Sequence, residues 1–261
     1  MPGLAPSLSG LEREAEAYEA DAGSEEAWPS ADLGQPGLDP SEYARIAQGH
    51  SQTWWFLSRF YLERPEKALL GELQAAFAAA AAWEPDGGDA SDDVEVLVAC
   101  LKEDLDGLSH RLLPEYTRLF RGIQEGLGPP PPFESVYRGE APGGDLTLEV
   151  LAQYEAAGFG PVEPNVGPQD HLGAELRFLA LLAFREAEAW NSGDETQALE
   201  RVAHQGRFLD RHLLVWLPAY TERVARDSRE PFYAAAARLT LGHAQRVRVD
   251  LDAIEAAATA A

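Results

Sequence analysis

Apolar side chains recur along this chain at three- and four-residue steps, the spacing of one helix face. Convincing strand-like alternation is found nowhere. In EYARIAQGHSQTWWFLSRFYLERP, Ile46, Trp54, Leu57 and Tyr61 share a stripe that Trp55 and Phe56 widen. Ser41 has the chemistry of an N-cap ahead of it, so the folded part is expected to begin there. Pro65 marks the next helix start, and KALLGELQAAFAAAAAW follows as a run of strong helix formers. The acidic, turn-rich break Asp86–Asp93 comes next. Ser91 or Asp92 then caps VEVLVACLKEDLDGLSHRLL, and Pro114 opens or kinks PEYTRLFRG.

Residues 122–144 are dense in proline and glycine and predict a long loop without helix. A loop of that length in a compact domain is usually functional or disordered. LTLEVLAQYEAAG predicts a short helix ending at Gly158, and FGPVEPNVGP a second loop reaching Pro168. Asp170 is placed to cap HLGAELRFLALLAFREAEAW, which Asn191, Ser192 and Gly193 end. Two further helices span ETQALERVAHQGRFLDRHL and LLVWLPAYTERVAR, the latter kinked at Pro218, and PFYAAAARLTLGHAQRVRVDLDAIEAA closes the chain. No repeat of fixed period is found. The pattern predicts an all-α fold, one helical domain over residues 41–261 with about nine helices around a single core. Residues 1–40 hold nine acids and one base, Arg13, and read as a disordered acidic tail with a short helix at Leu11–Ala20.

Composition narrows the function. The chain of 261 residues carries 44 Asp and Glu against 21 Lys and Arg, a net charge of -23. Such an excess repels phosphates and excludes a nucleic-acid partner held by broad phosphate neutralisation. The one cysteine, Cys100, forms no internal disulfide and no cysteine-based metal site. The start of the sequence lacks a basic region and an apolar run before a cleavage site. The longest low-charge apolar stretch, Ala75–Trp83, is far shorter than the ~20 residues of a membrane span. A cytoplasmic protein without stable membrane insertion is expected. Only Lys67 and Lys102 are lysine and the other bases are arginine. That balance resembles proteins of salt-loving microbes, whose self-repulsion is screened by molar salt, and a protein of that kind is expected; a GC-rich genome with an acidic protein is the alternative.

Catalytic signatures are missing: no phosphate-binding P-loop, no G-x-G-x-x-G after a strand, no H-E-x-x-H and no G-x-S-x-G. His50, His110, His171, His204, His212 and His243 are scattered. His171 and Glu175 stand one helical turn apart, yet no third ligand is evident, so neither a metal nor another cofactor is expected. Carboxylate pairs carry no information in a chain this acidic.

Two segments combine rare residue types in a fixed order. One runs Tyr116-Thr117-Arg118-Leu119-Phe120-Arg121-Gly122 and continues to Pro131-Pro132-Phe133-Glu134-Ser135-Val136-Tyr137. The other is Pro168-Gln169-Asp170-His171-Leu172-Gly173-Ala174-Glu175-Leu176-Arg177-Phe178-Leu179. Together with FLDRHLLVWLPAYTERV (Phe208–Val224) they resemble the TorD/DmsD/NarJ family of chaperones, over about residues 41–257. The family patterns are Y-x-x-L-F-x-G leading to P-P-[WF]-E-S-V-Y, then P-D-H-[LI]-x-x-E. This chain departs from them in Phe133, where the family often has Trp. It also carries extra residues between Gly122 and Pro129, and Gln169 splits Pro-Asp-His.

The resemblance implies an all-helical, non-enzymatic chaperone for molybdenum-cofactor oxidoreductases of the dimethyl sulfoxide, trimethylamine N-oxide or nitrate reductase type. Its partner would be the reductase catalytic subunit, gripped at its N-terminal or twin-arginine signal segment until the cofactor is loaded and export proceeds; a homodimer is compatible with it. It implies signal-segment contacts at Tyr116, Leu119, Phe120, Pro132, Phe133, Glu134, Ser135, Tyr137, Asp170, His171 and Glu175. A twin-arginine segment calls for an apolar groove with carboxylates at one end. Leu119, Phe120, Pro132, Phe133 and Tyr137 are candidates for the wall, and Asp170 or Glu134 for a fork to a guanidinium. Leu119, Phe120 and Trp216 are equally candidates for plain core, Asp170 for a cap, His171 for an interhelical hydrogen bond and Glu134-Ser135 for the cap of a turn. Two other functions stay open: a small hydrolase or nucleotide-using enzyme, and a structural subunit retained in a reductase complex.

Overall fold

The structure, a computed structural model, describes residues 39–80, 89–121 and 129–260. The expected acidic tail, with the short helix expected at Leu11–Ala20, and the Gly122–Gly128 part of the long loop lie outside the described residues. The helical class is observed. Helix α1 spans Pro40–Leu62, α2 Lys67–Ala80, α3 Asp89–Leu101 and α4 Leu105–Phe120. A single turn, α5, covers Glu134–Tyr137, followed by α6 at Asp145–Ala156 and a 3-10 turn at Pro164–Val166. Then come α7 at Leu172–Ser192, α8 at Glu195–Phe208, a π-helical turn at Leu209–Leu213, α9 at Leu214–Asp227 and α10 at Pro231–Ala260. No named strand occurs among the described residues.

Several boundaries differ from the sequence expectation. Asp39, not Ser41, caps α1: its side chain accepts from the Ser41 N–H at 3.1 Å, and Glu42 accepts from the Asp39 N–H at 3.1 Å. Pro40 at the first helical position loses nothing there, because its missing N–H has no helical partner. Helix α3 begins at Asp89, ahead of Ser91 and Asp92. Pro114 sits inside α4 without ending it. The long loop contains α5 in spite of its proline and glycine, since Glu134–Tyr137 itself holds neither.

Helices α1 and α7 form the antiparallel centre of the bundle. The Tyr43 ring stacks on Trp190 at one end at 5.0 Å. Ser51 Oγ donates to the Ala180 carbonyl midway at 2.8 Å. At the other end Gly173 meets Leu62, where a Cβ on the glycine would overlap the leucine side chain. Around this pair, α8 packs on α7, α9 on α10, and α10 also on α3 and α8. Trp54, Leu57, Phe178, Leu179, Phe208 and Trp216 are buried in one continuous core. Tyr61 closes it by a 2.7 Å hydroxyl bond to Thr240 on α10. Among the described residues no helix is long and apolar enough to cross a membrane.

Candidate functional site

The two segments singled out in the sequence meet in space. Phe133 and His171 form an isolated antiparallel bridge. The Glu134 N–H donates to the Asp170 carbonyl at 2.8 Å, and the Leu172 N–H to the Pro132 carbonyl at 2.8 Å. These two bonds stitch the end of the proline loop to the start of α7.

Asp170 is fully buried beneath the stitch. Its carboxylate accepts from the Ser135 N–H at 3.0 Å and from the Thr147 hydroxyl at 2.8 Å. It therefore holds the first turn of α5 and ties it to α6. The expectation that Asp170 caps α7 is corrected: His171 does, its Nδ1 accepting from the Gly173 N–H at 3.1 Å. That bond requires a lone pair on Nδ1, hence a neutral ring. Burial, then the Arg121 charge, hold the His171 pKa down to about 3, in agreement.

Glu134 is also fully buried. Arg138, one turn on, donates to its Oε1 at 2.6 Å, and His212 Nδ1 lies 3.0 Å from its Oε2. The π-helical turn brings His212 to that point. Glu175, equally buried, accepts from Trp216 Nε1 at 3.3 Å, while its Oε1 has no hydrogen-bond partner. Burial first, then the Glu134 and Asp170 charges, push the Glu175 carboxyl well above the usual range. Three carboxyls in one dry space cannot all ionise cheaply; Arg138 and His212 lie against one of them, Glu134.

The apolar candidates divide by exposure. Tyr116, Leu119 and Phe120 are core. The Tyr116 hydroxyl lies 3.0 and 3.1 Å from the Tyr61 and Leu62 carbonyls, satisfying the end of α1. Phe120 packs edge-on to Tyr61 and Tyr233. Pro132, Ser135 and Trp216 are buried as well. Phe133, Val136 and Tyr137 are half-buried, Pro131 is half-buried and Pro130 exposed. The Phe133 ring meets His171 edge-on at 5.1 Å. Tyr137 lies against Trp216 and Tyr220 at 5.5 Å each, and its hydroxyl donates to the Pro130 carbonyl at 3.2 Å, bracing the prolines. The outward surface of the site is therefore Pro130, Pro131, Phe133, Val136 and Tyr137. Asp170, Glu134 and Glu175 lie buried under it. No group of three or more His, Cys, Asp or Glu suited to a metal occurs among the described residues, His171 and Glu175 included.

Sequence reasoning passed over Arg138 and Thr147, and took His212 only as one of six scattered histidines. The FLDRHLLVWLP segment was the available signal, because it carries His212 and Trp216 together. The departure at Gln169 has a structural use. Its amide donates to the Glu163 and Gly167 carbonyls at 2.9 Å each, and its Oε1 accepts from the Glu163 N–H at 3.1 Å. The second proline-glycine loop is folded around that side chain.

The fold and the two stitched motifs define an all-helical protein of the nitrate reductase delta subunit class, whose family model matches residues 88–222. The chain belongs to this family, which includes the TorD and NarJ proteins. It is 29% identical over 202 residues to the chaperone protein TorD of Vibrio cholerae, covering 76% of this chain and 90% of that one. It is 37% identical over 92 residues to the selenate reductase assembly chaperone protein of Thauera selenatis, 35% of this chain and 47% of that one. The chlorate reductase assembly chaperone protein of Ideonella dechloratans matches over 105 residues at 33% identity, 39% and 51% of the two chains.

Proposed function

We propose that this chain is a cytoplasmic assembly chaperone, not an enzyme, for a molybdenum-cofactor reductase. It binds the N-terminal or twin-arginine signal segment of the catalytic subunit and releases it after cofactor insertion. The names of two relatives support reductase assembly, and that of a third supports a chaperone. The observation that carries the reading is the bridge between Phe133 and His171, which fuses both family motifs into one surface with a half-exposed apolar face. Pro130, Pro131, Phe133, Val136 and Tyr137 receive the apolar part of the segment. Stiff prolines braced by Tyr137 lose little ordering entropy on binding. Tyr116, Leu119, Phe120, Pro132, Glu134, Ser135, Asp170, His171 and Glu175 act from beneath, fixing that face. A direct fork from Asp170 or Glu134 to a client arginine needs the buried network to open first.

Titration with a peptide of the client's leader tests this. Phe133→Ala should weaken binding by about tenfold, the loss of one buried aromatic anchor, with an unchanged circular dichroism spectrum. The family's description as a delta subunit favours a second reading, an accessory subunit retained in the reductase. Co-purification separates the two: a chaperone leaves the mature enzyme, and a subunit stays in fixed proportion.

A further inference from the structure

A second polar site lies away from the proline loop. A depression of about 260 Å³ opens between the end of α6 and one face of α8. Ala156, Glu200, Arg201, Ala203, His204 and Arg207 line it. Arg201, His204 and Arg207 follow at three-residue steps, so they share that face. Two guanidiniums on one small depression stand out in a chain with a net charge of -23.

The polar atoms here are unfinished. His204 is only 7% exposed and packs edge-on to Phe178 at 5.8 Å. Its Nε2 has no hydrogen-bond partner among the described residues. The bond it makes to the Gln153 backbone carbonyl therefore comes from Nδ1. Burial, then Arg207 and Arg201, hold the ring's pKa down to about 4, so at neutral pH Nε2 presents a lone pair. Arg201 Nη1 reaches the Ala157 carbonyl at 3.5 Å, while its buried Nε also has no partner. Arg207 and Glu200 are exposed at the rim.

We propose that this depression binds a small oxyanion that also carries a hydroxyl, the chemistry of a phosphate or phosphomonoester monoanion. Arg201 and Arg207 donate to the charged oxygens, as guanidiniums do to phosphate. His204 Nε2 and the Glu200 carboxylate accept from the ligand's O–H. A fully ionised oxyanion satisfies the arginines only and is repelled by Glu200, so sulfate is disfavoured.

The experiment is titration of the full chain with inorganic phosphate in low salt at about pH 6, where a phosphate monoanion keeps its proton. The His204 ring resonances are followed by nuclear magnetic resonance. The expected result is a saturable shift of His204, weakened by about tenfold with sulfate and by about tenfold in Arg207→Ala, each having lost charged or hydroxyl hydrogen bonds. Arg207 lies at the exposed rim, so that variant tests binding without touching the core. Glycerol phosphate as a second ligand distinguishes the source: tighter binding than phosphate marks the head of a larger molecule, weaker binding marks free phosphate. No saturable movement of His204, equal response to sulfate and phosphate, or an unaltered titration in Arg207→Ala overturns the proposal.

Discussion

Asp170 holds two donors, the Ser135 N–H and the Thr147 hydroxyl. Asp170→Ala leaves both buried, and a bond to a charged group is worth about 1.5–3 kcal/mol. A loss of stability of that size is expected in urea unfolding. It makes Asp170→Ala a poor probe of binding and Phe133→Ala the better one. His171 gives the site a pH dependence. Its folded pKa, about 3, lies below the ordinary 6.5, so the unfolded chain binds the extra proton. Its contribution is fully present above 6.5 and is lost as pH falls toward about 3. Glu175 works in the opposite sense: its raised pKa gives stability that is present at low pH and lost as pH rises through the folded value. In His171→Asn the amide oxygen keeps the cap without titrating. Its unfolding midpoint should fall less steeply than that of the parent chain between neutral pH and about pH 4. Equal slopes would remove His171 from the account.

Helices α1 and α7 meet at Gly173, with the Leu62 side chain in the space a Cβ would take. Gly173→Ala gains helix propensity but overpacks this end of the α1–α7 contact, and the net expectation is a loss of about 1–3 kcal/mol. Calorimetry would register it; a stabilised variant would mean that Leu62 yields freely. The helices themselves were legible, because Ile46, Trp54, Leu57 and Tyr61 mark the buried face of α1 and Gly193 ends α7 at φ +76°. Their caps were less so. Asp170 has N-cap chemistry, yet its carboxylate is drawn to Ser135, 35 residues earlier, and local pattern holds no trace of that contact. The π-helical turn that aims His212 at Glu134 is invisible for the same reason. The site was half legible. The rare residue order identified both segments, but a stripe of Tyr116, Leu119 and Phe120 reads alike as pocket wall or core. Only packing against Tyr61 and Tyr233 assigns it to core.

At the scale of the whole molecule, a heavily acidic helical bundle keeps its site charges inside and presents a small apolar, proline-stiffened face. Under the proposed function, the net charge of -23 would attract a basic leader at long range and be screened by salt, whereas the apolar face would act at contact. On the proposed function, binding would combine a salt-sensitive approach with a salt-tolerant grip. The measurement that tests this most directly is a titration of the full chain with a fluorescent twin-arginine leader peptide of a molybdenum-cofactor reductase, in parallel with Phe133→Ala. Saturable binding by the parent chain, about tenfold weaker in Phe133→Ala at an unchanged helical spectrum, is the predicted result. An identical affinity in both chains, or no binding of the leader by the parent chain, would contradict it.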